Sequence, residues 1–274
     1  MDILTDVHTH TAFSPDGQDD IDTMLARAKE LRLAWWGIAE HIDYDYLTDN
    51  IPFDDGAAQF TDPEAYFPAA RALQQSEKEV HILAGAELGF TRNRAVVPLY
   101  RNLIARYRPD FIVNSVHTQG TQDYYYRTPF RGKDKKTAYG EYLALVRESL
   151  DADYPYDIVG HIGYPARYAP YADKSMDGAD FIGALDDILT TIIVRGKILE
   201  VNTSAAGADA PFLPFPPIVR RYFALGGREI SIASDAHGAR RLADKRQETA
   251  AILKEIGFAF VTVPCRGEKI RVEL

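Results

Sequence analysis

The sequence predicts an α/β fold in which seven or eight strand–helix units form one barrel-like domain. Short apolar runs alternate with longer helix-compatible segments from one end of the chain to the other. The chain has 274 residues, of which 46% are hydrophobic, so it can bury a substantial core. No segment rich in proline and glycine divides it, and we therefore expect residues 1–274 to form a single domain.

The predicted strands are short runs rich in Val, Ile, Trp or Phe, which is typical of buried parallel strands. In chain order they are Ile3–His8, Trp35–His41, Ile82–Leu88, Phe111–His117, Asp157–His161, Ile198–Asn202 and Ile230–Asp235. A last run, Phe258–Val263, is consistent with an eighth barrel strand or a closing edge.

Helical patterns occupy the intervals between these strands. They are Ile21–Leu31, Pro63–Glu79, Val96–Tyr107, Ala138–Leu150, Ala179–Arg195, Pro216–Ala224 and Ala239–Glu255. Asp20 and Asp62 are suitable N-caps, and Pro63 suits a first helical position. Gly257 is a suitable helix end.

Three long interruptions, residues 42–61, 118–137 and 203–215, each follow a predicted strand. In a barrel, such loops lie on the C-terminal face, where active sites are built. Loops of this length in a compact domain are usually functional, so we expect them to contact substrate or to cover the site.

The composition limits the classes of partner. A net charge of −9 argues against a protein that binds the nucleic-acid backbone. An acidic enzyme can still act on an anionic substrate if bound cations reverse the local field. The single cysteine, Cys265, excludes an internal disulfide, and neither a signal peptide nor a membrane span is visible. We expect a cytoplasmic protein; the oligomeric state stays open.

The most informative residues are the polar ones that end the apolar runs. Six of the seven histidines lie at or near strand ends, together with three carboxylates. These nine candidate metal ligands are His8, His10, Asp16, His41, Glu87, His117, His161, Asp235 and His237. Because the strand ends of a barrel converge on one mouth, these side chains can meet there. Nine ligands exceed what one ion needs, so we expect two or three divalent ions, and His with carboxylate suits Zn, Mn or Fe.

The spacing within these motifs adds detail. His8 and His10 project from the same face of an extended strand and can bind one ion, and Asp235 and His237 repeat that spacing. Glu87 is the predicted bridging carboxylate. Glu40 points to the opposite strand face from His41 and is predicted to be a structural partner, and His81 lies outside any such position.

In combination, these motifs resemble the PHP (polymerase and histidinol phosphatase) superfamily, and within it the histidinol-phosphatase branch. The motifs are Asp6-Val-His-Thr-His-Thr-Ala-Phe-Ser-Pro-Asp-Gly17, Ala39-Glu-His41, Gly85-Ala-Glu87, Ser115-Val-His117, Gly160-His161 and Ser234-Asp-Ala-His237. They occur in order from Asp6 to His237. The Asp16-Gly17 form is typical of that branch.

The resemblance implies a distorted (β/α)7 barrel with a trinuclear site, and L-histidinol phosphate as the substrate, hydrolysed to L-histidinol and phosphate. It also implies three ligand sets: His8, His10, Glu87 and Asp235; Asp16, His41 and His237; and His117, His161 and Glu87. Among these residues, Asp235, Glu87 and His237 are predicted to act in catalysis, with Asp235 also helping to move a proton.

Substrate contacts are predicted at Arg167 and Arg127. Arg167, in His161-Ile-Gly-Tyr-Pro-Ala-Arg167, fits one basic position that the branch uses for phosphate. The branch carries a second basic residue after its Asn-Thr-Ser segment, but here residues 202–211 contain no Arg or Lys. Arg127 lies in a loop with Arg131 and Lys133 and is a further candidate.

The predicted reaction is attack on phosphorus by a hydroxide that bridges two metal ions. A phosphoesterase of the same family that acts on another small metabolite or a nucleotide is the main alternative. A nuclease is disfavoured by the acidic charge, and an amidohydrolase by the lack of a strand-end Lys. A metal-binding module with an inactive site would be expected to lack a ligand, and none of the nine is missing.

Overall fold

The computed structural model describes residues 4–51, 60–204 and 210–274. Seven parallel strands form one sheet, which confirms the predicted α/β barrel class. The strands are β1 (Leu4–Thr9), β2 (Leu33–His41), β3 (His81–Gly89), β4 (Ile112–Ser115), β5 (Thr118–Gln119), β6 (Gln122–Asp123), β7 (Ile158–Val159), β8 (Ile198–Asn202), β9 (Ile230–Ala233), β10 (Phe260–Cys265) and β11 (Glu268–Glu273). The seven parallel strands lie in the order β1-β2-β3-β4-β7-β8-β9. Strands β5 and β6 form a separate antiparallel hairpin.

The first and last strands of the sheet meet and nearly close the barrel. A parallel bridge joins Thr9 to Ala236. Around it, the His10 amide donates to the Ala236 carbonyl at 2.8 Å, and the Asp235 amide donates to the His8 carbonyl at 2.9 Å. The backbone that carries four predicted ligands therefore forms the seam itself.

Helices cover the outside of the sheet. They are α1 (Ile21–Glu30), α2 (Tyr44–Thr48), α3 (Pro63–Ser76), α4 (Val96–Tyr107), α5 (Lys135–Ser149), α6 (Ile182–Val194), α7 (Pro216–Ala224) and α8 (Arg246–Ile256), with short 3-10 turns at Tyr124–Tyr126, Thr128–Phe130, Tyr164–Arg167 and Ala239–Arg241. The predicted caps are confirmed, because the Asp20 side chain accepts from Thr23 N and that of Asp62 accepts from Glu64 N. The left-handed backbone of Gly257 ends α8, as predicted.

Two predicted elements are wrong in part. The single helix predicted over Ala239–Glu255 is a 3-10 turn followed by α8, since Ala243 and Lys245 adopt positive φ angles between them. The run Phe258–Val263 contributes to β10, which pairs antiparallel with β11 and is not a barrel strand. Two predicted loops, 42–61 and 203–215, extend partly beyond the described residues.

The core lies inside the sheet and between the sheet and its helices. Trp36, Tyr66 and Phe111 are almost fully buried. The Tyr66 hydroxyl donates to the carbonyls of Ile38 and Gly85, both at 3.0 Å, so a buried polar group is satisfied between β2 and β3. None of the helices in the described ranges is long and apolar enough to span a membrane.

Candidate metal centre

The predicted ligands come together at the C-terminal end of the barrel, where they lie at or after the ends of β1, β2, β3, β4, β7 and β9. His8, His10 and Glu87 are fully buried, while Asp16 is at the mouth with 58% of its side chain exposed. The strands converge there as the barrel geometry requires.

A first group contains His8, His10, Glu87 and Asp235. The Nε2 atoms of His8 and His10 lie 3.2 Å apart. Glu87 Oε2 is 3.2 Å from His8 Nε2 and 3.6 Å from His10 Nε2. Asp235 Oδ1 lies 3.3 Å from His10 Nε2. Four side-chain donor atoms therefore surround one small volume.

A second group lies nearer the mouth and contains His41, His237 and Asp16. The two Nε2 atoms of His41 and His237 are 3.3 Å apart. Asp16 Oδ2 is 3.1 Å from His237 Nε2, and Asp16 Oδ1 is 3.8 Å from His41 Nε2. Asp16 therefore lies beside two of the histidines with which the sequence grouped it.

The third group contains His117 and His161, whose Nε2 atoms are 3.3 Å apart. Glu87 Oε1 lies 3.1 Å from His117 Nε2 and 2.9 Å from His161 Nε2. Since Glu87 Oε2 faces His8 and is also 3.0 Å from His41 Nδ1, the two oxygens of this carboxylate face different groups. This arrangement is compatible with a bridging role.

The donor set fits divalent metal ions. Glu87 Oε2 and His41 Nδ1 are buried 3.0 Å apart, yet among the described residues neither makes a hydrogen bond of suitable geometry, which is costly unless a cation satisfies them. Three sets of ligand atoms lie within 4.8 Å of one another: His10, His41 and His237; His8, His10 and Glu87; and His41, Glu87 and His117. Imidazole and carboxylate donors are those that zinc and neighbouring transition metals accept.

Neighbouring charged groups in the cluster shift the pKa values of His8, His10 and Glu87. Burial, together with the nearby His41 and His237, lowers the pKa of His10 to about 3, so its imidazole is neutral, as a metal ligand must be. Burial opposes a charge on His8, but Glu87 and Glu200 outweigh it and hold the pKa of His8 well above its usual value. Burial also opposes ionisation of Glu87, yet His8, His117 and His41 hold its pKa well below the usual range.

Two carboxylates at this site were missed by the sequence interpretation. Glu200, in the middle of β8, places Oε1 2.6 Å from His8 Nδ1, and its Oε2 accepts from the His161 amide at 2.6 Å. A charged residue within the apolar run Ile198–Asn202 was the available signal, because such a residue must face a polar interior. Glu200 therefore supports two predicted ligands at once.

The second is Asp43. Its Oδ2 lies 3.0 Å from His41 Nδ1 and 3.5 Å from His117 Nδ1, and Asp43 is buried. The available signal in the sequence was a carboxylate two residues after His41. Asp43 joins two histidines that the sequence interpretation placed in different ligand sets.

Glu40 has the predicted structural position. Its carboxylate accepts from the Thr11 amide at 3.1 Å and from the Thr11 hydroxyl at 2.5 Å, and the Ser14 hydroxyl also donates to it. These bonds tie the segment that leads to Asp16 against the end of β2. Glu40 thus holds the Asp16 loop and does not face the ligand cluster.

A cavity of about 360 Å³ opens over the cluster. Arg167 lines it, with one guanidinium nitrogen 3.0 Å from Asp235 Oδ2 and 2.9 Å from Asn202 Oδ1. Arg127 is exposed and is not among the residues that line this cavity, so its substrate contact stays a prediction. Lys133 pairs with Glu141 at 2.5 Å and does not line the cavity either.

Residues 6–204 match the PHP domain family. The chain is similar to a probable histidinol-phosphatase of Clostridium acetobutylicum, with 27% identity over 86% of this chain and 87% of the relative. It is also similar to a histidinol-phosphatase of Lactococcus lactis, with 28% identity over 92% of this chain and 91% of the relative.

Two solved structures share the fold. One is the histidinol phosphate phosphatase of Lactococcus lactis in complex with zinc, L-histidinol and phosphate, which superposes with a TM-score of 0.84 and 25% identity over 97% of this chain and 98% of that one. The other, a Listeria monocytogenes protein provisionally assigned as a histidinol phosphatase, has a TM-score of 0.78 and 21% identity over 89% of this chain and 99% of that one.

Proposed function

Because the chain belongs to the PHP domain family, we propose that it is a metal-dependent phosphomonoester hydrolase whose substrate is L-histidinol phosphate. The observation that carries the proposal is the convergence of the nine predicted ligands in one cluster, six of which line a single cavity together with Arg167. Relatives that bear the name histidinol-phosphatase match nearly the whole chain, and one of them binds zinc, L-histidinol and phosphate.

We assign the ligands to two or three divalent ions, with zinc first, then manganese and iron. The sets are His8, His10, Glu87 and Asp235; Asp16, His41 and His237; and His117, His161 and Glu87. Ions in such a site lower the pKa of water and neutralise charge on the phosphoryl oxygens. Glu87 and His237 contribute to catalysis because they help to hold the attacking water and the phosphoryl group in position.

Arg167 is assigned to the phosphate of the substrate. Its guanidinium is almost buried, with 13% of the side chain exposed, and it is held by Asp235 and Asn202 at one nitrogen. Its remaining donors can form a bidentate contact with a phosphoryl group. Among the described residues that line the cavity, Arg167 is the only Lys or Arg.

Asp235 is assigned to proton transfer in addition to binding metal. Burial opposes its ionisation, but Arg167 and the hydrogen bond to His10 hold its pKa well below the usual range. An ionised carboxylate beside the phosphate site can accept the proton that the attacking water loses and return it to the alcohol oxygen as the phosphorus–oxygen bond breaks. The product alcohol and inorganic phosphate then leave through the open mouth of the cavity.

The substrate test is a phosphate-release screen with histidinol phosphate, sugar phosphates and nucleotides, run with Zn, Mn and Fe in turn. A strong preference for histidinol phosphate supports the proposal. A flat profile would favour a phosphoesterase of broader substrate range, which the absence of Lys and Arg from residues 203–215 supports. Release from none of these compounds would contradict both.

We also propose that residues 1–274 act as one domain. The β10–β11 hairpin packs against β9, so the end of the chain is continuous with the barrel. Arg266 N donates to the Asp110 carbonyl at 2.7 Å, and its side chain reaches Asp110 Oδ1 at 2.7 Å. Limited proteolysis that releases a stable fragment would contradict this assignment.

A further inference from the structure

The cavity has two chemically different sides. The ligand cluster and Arg167 form one side. The other side contains a set of aromatic residues that we call the tyrosine wall. Its members are Tyr125, Tyr126, Tyr164 and Tyr168. The reaction at the metal cluster uses none of these rings.

The wall runs without a break from the phosphate cation to the mouth of the cavity. The Arg167 guanidinium carbon lies 5.3 Å from the centre of the Tyr164 ring. Tyr164 contacts Tyr168 edge to face at 5.3 Å, and Tyr168 contacts Tyr125 in the same way at 5.3 Å. Tyr126 completes the series at 5.1 Å from Tyr125. A group attached to a phosphate at Arg167 therefore extends along aromatic surface.

The outer part of the wall is open to a ligand. Tyr125 is 57% exposed and Tyr126 is 38% exposed, although both line the cavity. Large aromatic rings at the mouth of a deep polar cavity offer apolar surface that a planar ligand can cover. The inner rings, Tyr164 and Tyr168, are packed and hold the outer ones in position.

An acidic residue adjoins the wall. Asp123 lines the cavity, and only 7% of it is exposed. It accepts from the Tyr46 hydroxyl at 2.5 Å through Oδ2 and from the Tyr125 amide at 2.8 Å through Oδ1. Each carboxylate oxygen can accept a second hydrogen bond, so Asp123 can also bind an ammonium group. Its bond to the Tyr125 amide links this carboxylate to the wall.

The charged residues of the cavity also favour a cationic group beside the tyrosine wall. On the wall side the lining carries the carboxylate of Asp123, and among the described residues Arg167 is the only Lys or Arg that lines the cavity. A cationic group is therefore favoured on the wall side, whereas a second anionic group, such as a carboxylate, is disfavoured.

We propose that the tyrosine wall and Asp123 form the leaving-group subsite, which selects phosphomonoesters whose alcohol carries both a planar ring and a protonated amine. The ring stacks on Tyr125, and the amine donates to Asp123. This inference rests on the proposed function, since the phosphate has to lie at Arg167. It assigns the selectivity to the segment that carries Asp123 and Tyr125, neither of which is among the predicted metal ligands.

The test measures binding first, so that it does not depend on turnover. L-Histidinol is titrated by calorimetry into the metal-loaded protein in the presence of inorganic phosphate. We expect Tyr125→Ala to weaken binding about tenfold and Tyr125→Phe to retain it, because the ring supplies the contact. Asp123→Asn should also weaken binding about tenfold, because it removes a charge-assisted hydrogen bond. The matched control is Ile182→Ala, which truncates a similarly exposed side chain (47%) on α6, outside the cavity.

Four phosphomonoesters then separate the two contacts: histidinol phosphate, phenethyl phosphate, phosphoethanolamine and ethyl phosphate. Tyr125→Ala should lower kcat/KM for the two esters with a ring, and Asp123→Asn for the two with an amine. Equal losses on all four esters, or histidinol binding unchanged by Tyr125→Ala, would overturn the subsite. If the wild type binds histidinol through Tyr125 but releases no phosphate from any ester, the subsite stands and the proposed function fails.

Discussion

Glu200 Oε1 lies 2.6 Å from Nδ1 of His8, on the side of the imidazole ring away from Glu87. A carboxylate at that position accepts the Nδ1 proton and leaves Nε2 with a free lone pair. His8 Nε2 is the atom that faces His10 and Glu87. Glu200 therefore sets the tautomer that a metal ligand requires.

Replacing Glu200 with Gln is expected to lower metal affinity by about 10–100-fold, the range found for partners of ligating histidines. The amide group of Gln can donate to Nδ1, and that favours the tautomer whose proton sits on Nε2. Competition with a chromophoric chelator measures the loss. Glu255→Gln on the exposed face of α8 is the control, and equal affinities for the two variants would contradict this role.

Replacing His8 with Ala is expected to abolish metal binding at the first group and lower turnover more than about 100-fold. Loss of a metal ligand weakens metal binding more than loss of a residue that only hydrogen-bonds to that ligand. His81 provides the matched control. It is exposed and stacks on Trp35 with the ring centres 4.4 Å apart, outside the cluster. Metal content by elemental analysis and phosphate release should change in His8→Ala and stay constant in His81→Ala. Retained metal and activity in His8→Ala would contradict the assignment.

Replacing Arg167 with Ala is expected to raise the inhibition constant for inorganic phosphate about tenfold or more, since a hydrogen bond to a charged group contributes about 1.5–3 kcal/mol. Arg127→Ala is the comparison. Because Arg127 is exposed and does not line the cavity, we expect less than about a twofold change there. An equal loss in both variants would show that the loop around Arg127 moves to meet the substrate.

Metal affinity is expected to rise with pH through neutrality. Burial opposes protonation of His8, His41 and His117, but Glu87 and the other nearby carboxylates outweigh it and hold the pKa of each histidine well above its usual value. Each must lose a proton before it binds a cation, so metal binding releases protons. Proton release in weak buffer and affinities at about pH 6, 7 and 8 measure this. An affinity independent of pH would contradict it.

The metal-free protein should respond to pH in the opposite direction. A histidine whose pKa is raised by folding stabilises the native state fully below its unfolded pKa, near 6.5, and this contribution is lost as pH rises through the folded value. Chemical denaturation of the metal-free protein should therefore show stability falling above about pH 6.5. Stability that rises over this range would contradict the predicted ion pairs.

Much of the barrel was predictable because apolar runs and strand-end ligands are local patterns. Ile198–Asn202 and Val96–Tyr107 match the structure in both bounds. The two failures depend on information that periodicity does not contain. The helix pattern after Ala239 continues through Ala243 and Lys245, but their positive φ angles divide it. Phe258–Val263 has strand composition, yet composition cannot tell a barrel strand from a hairpin.

The candidate site was predictable only in part. Its histidines were found because they end strands, whereas Glu200 lies inside a strand and Asp43 in the loop after one. Both act through a neighbouring histidine, and that relationship becomes visible only when the strands are placed side by side. The substrate contact of Arg127 stays a prediction, since this residue is exposed and lies outside the cavity lining.

The seam between β1 and β9 has a consequence for the order in which the molecule matures. His8 and His10 leave the ribosome more than 220 residues before Asp235 and His237, and the two segments meet through the bridge at Thr9 and Ala236. An ion held between them would close a loop of more than 220 residues, counted from His10 to Asp235. Loop closure of that length is slow and entropically costly. A growing chain can therefore hold its full complement of ions only after the last barrel strand has docked, so metal uptake would report the completion of folding.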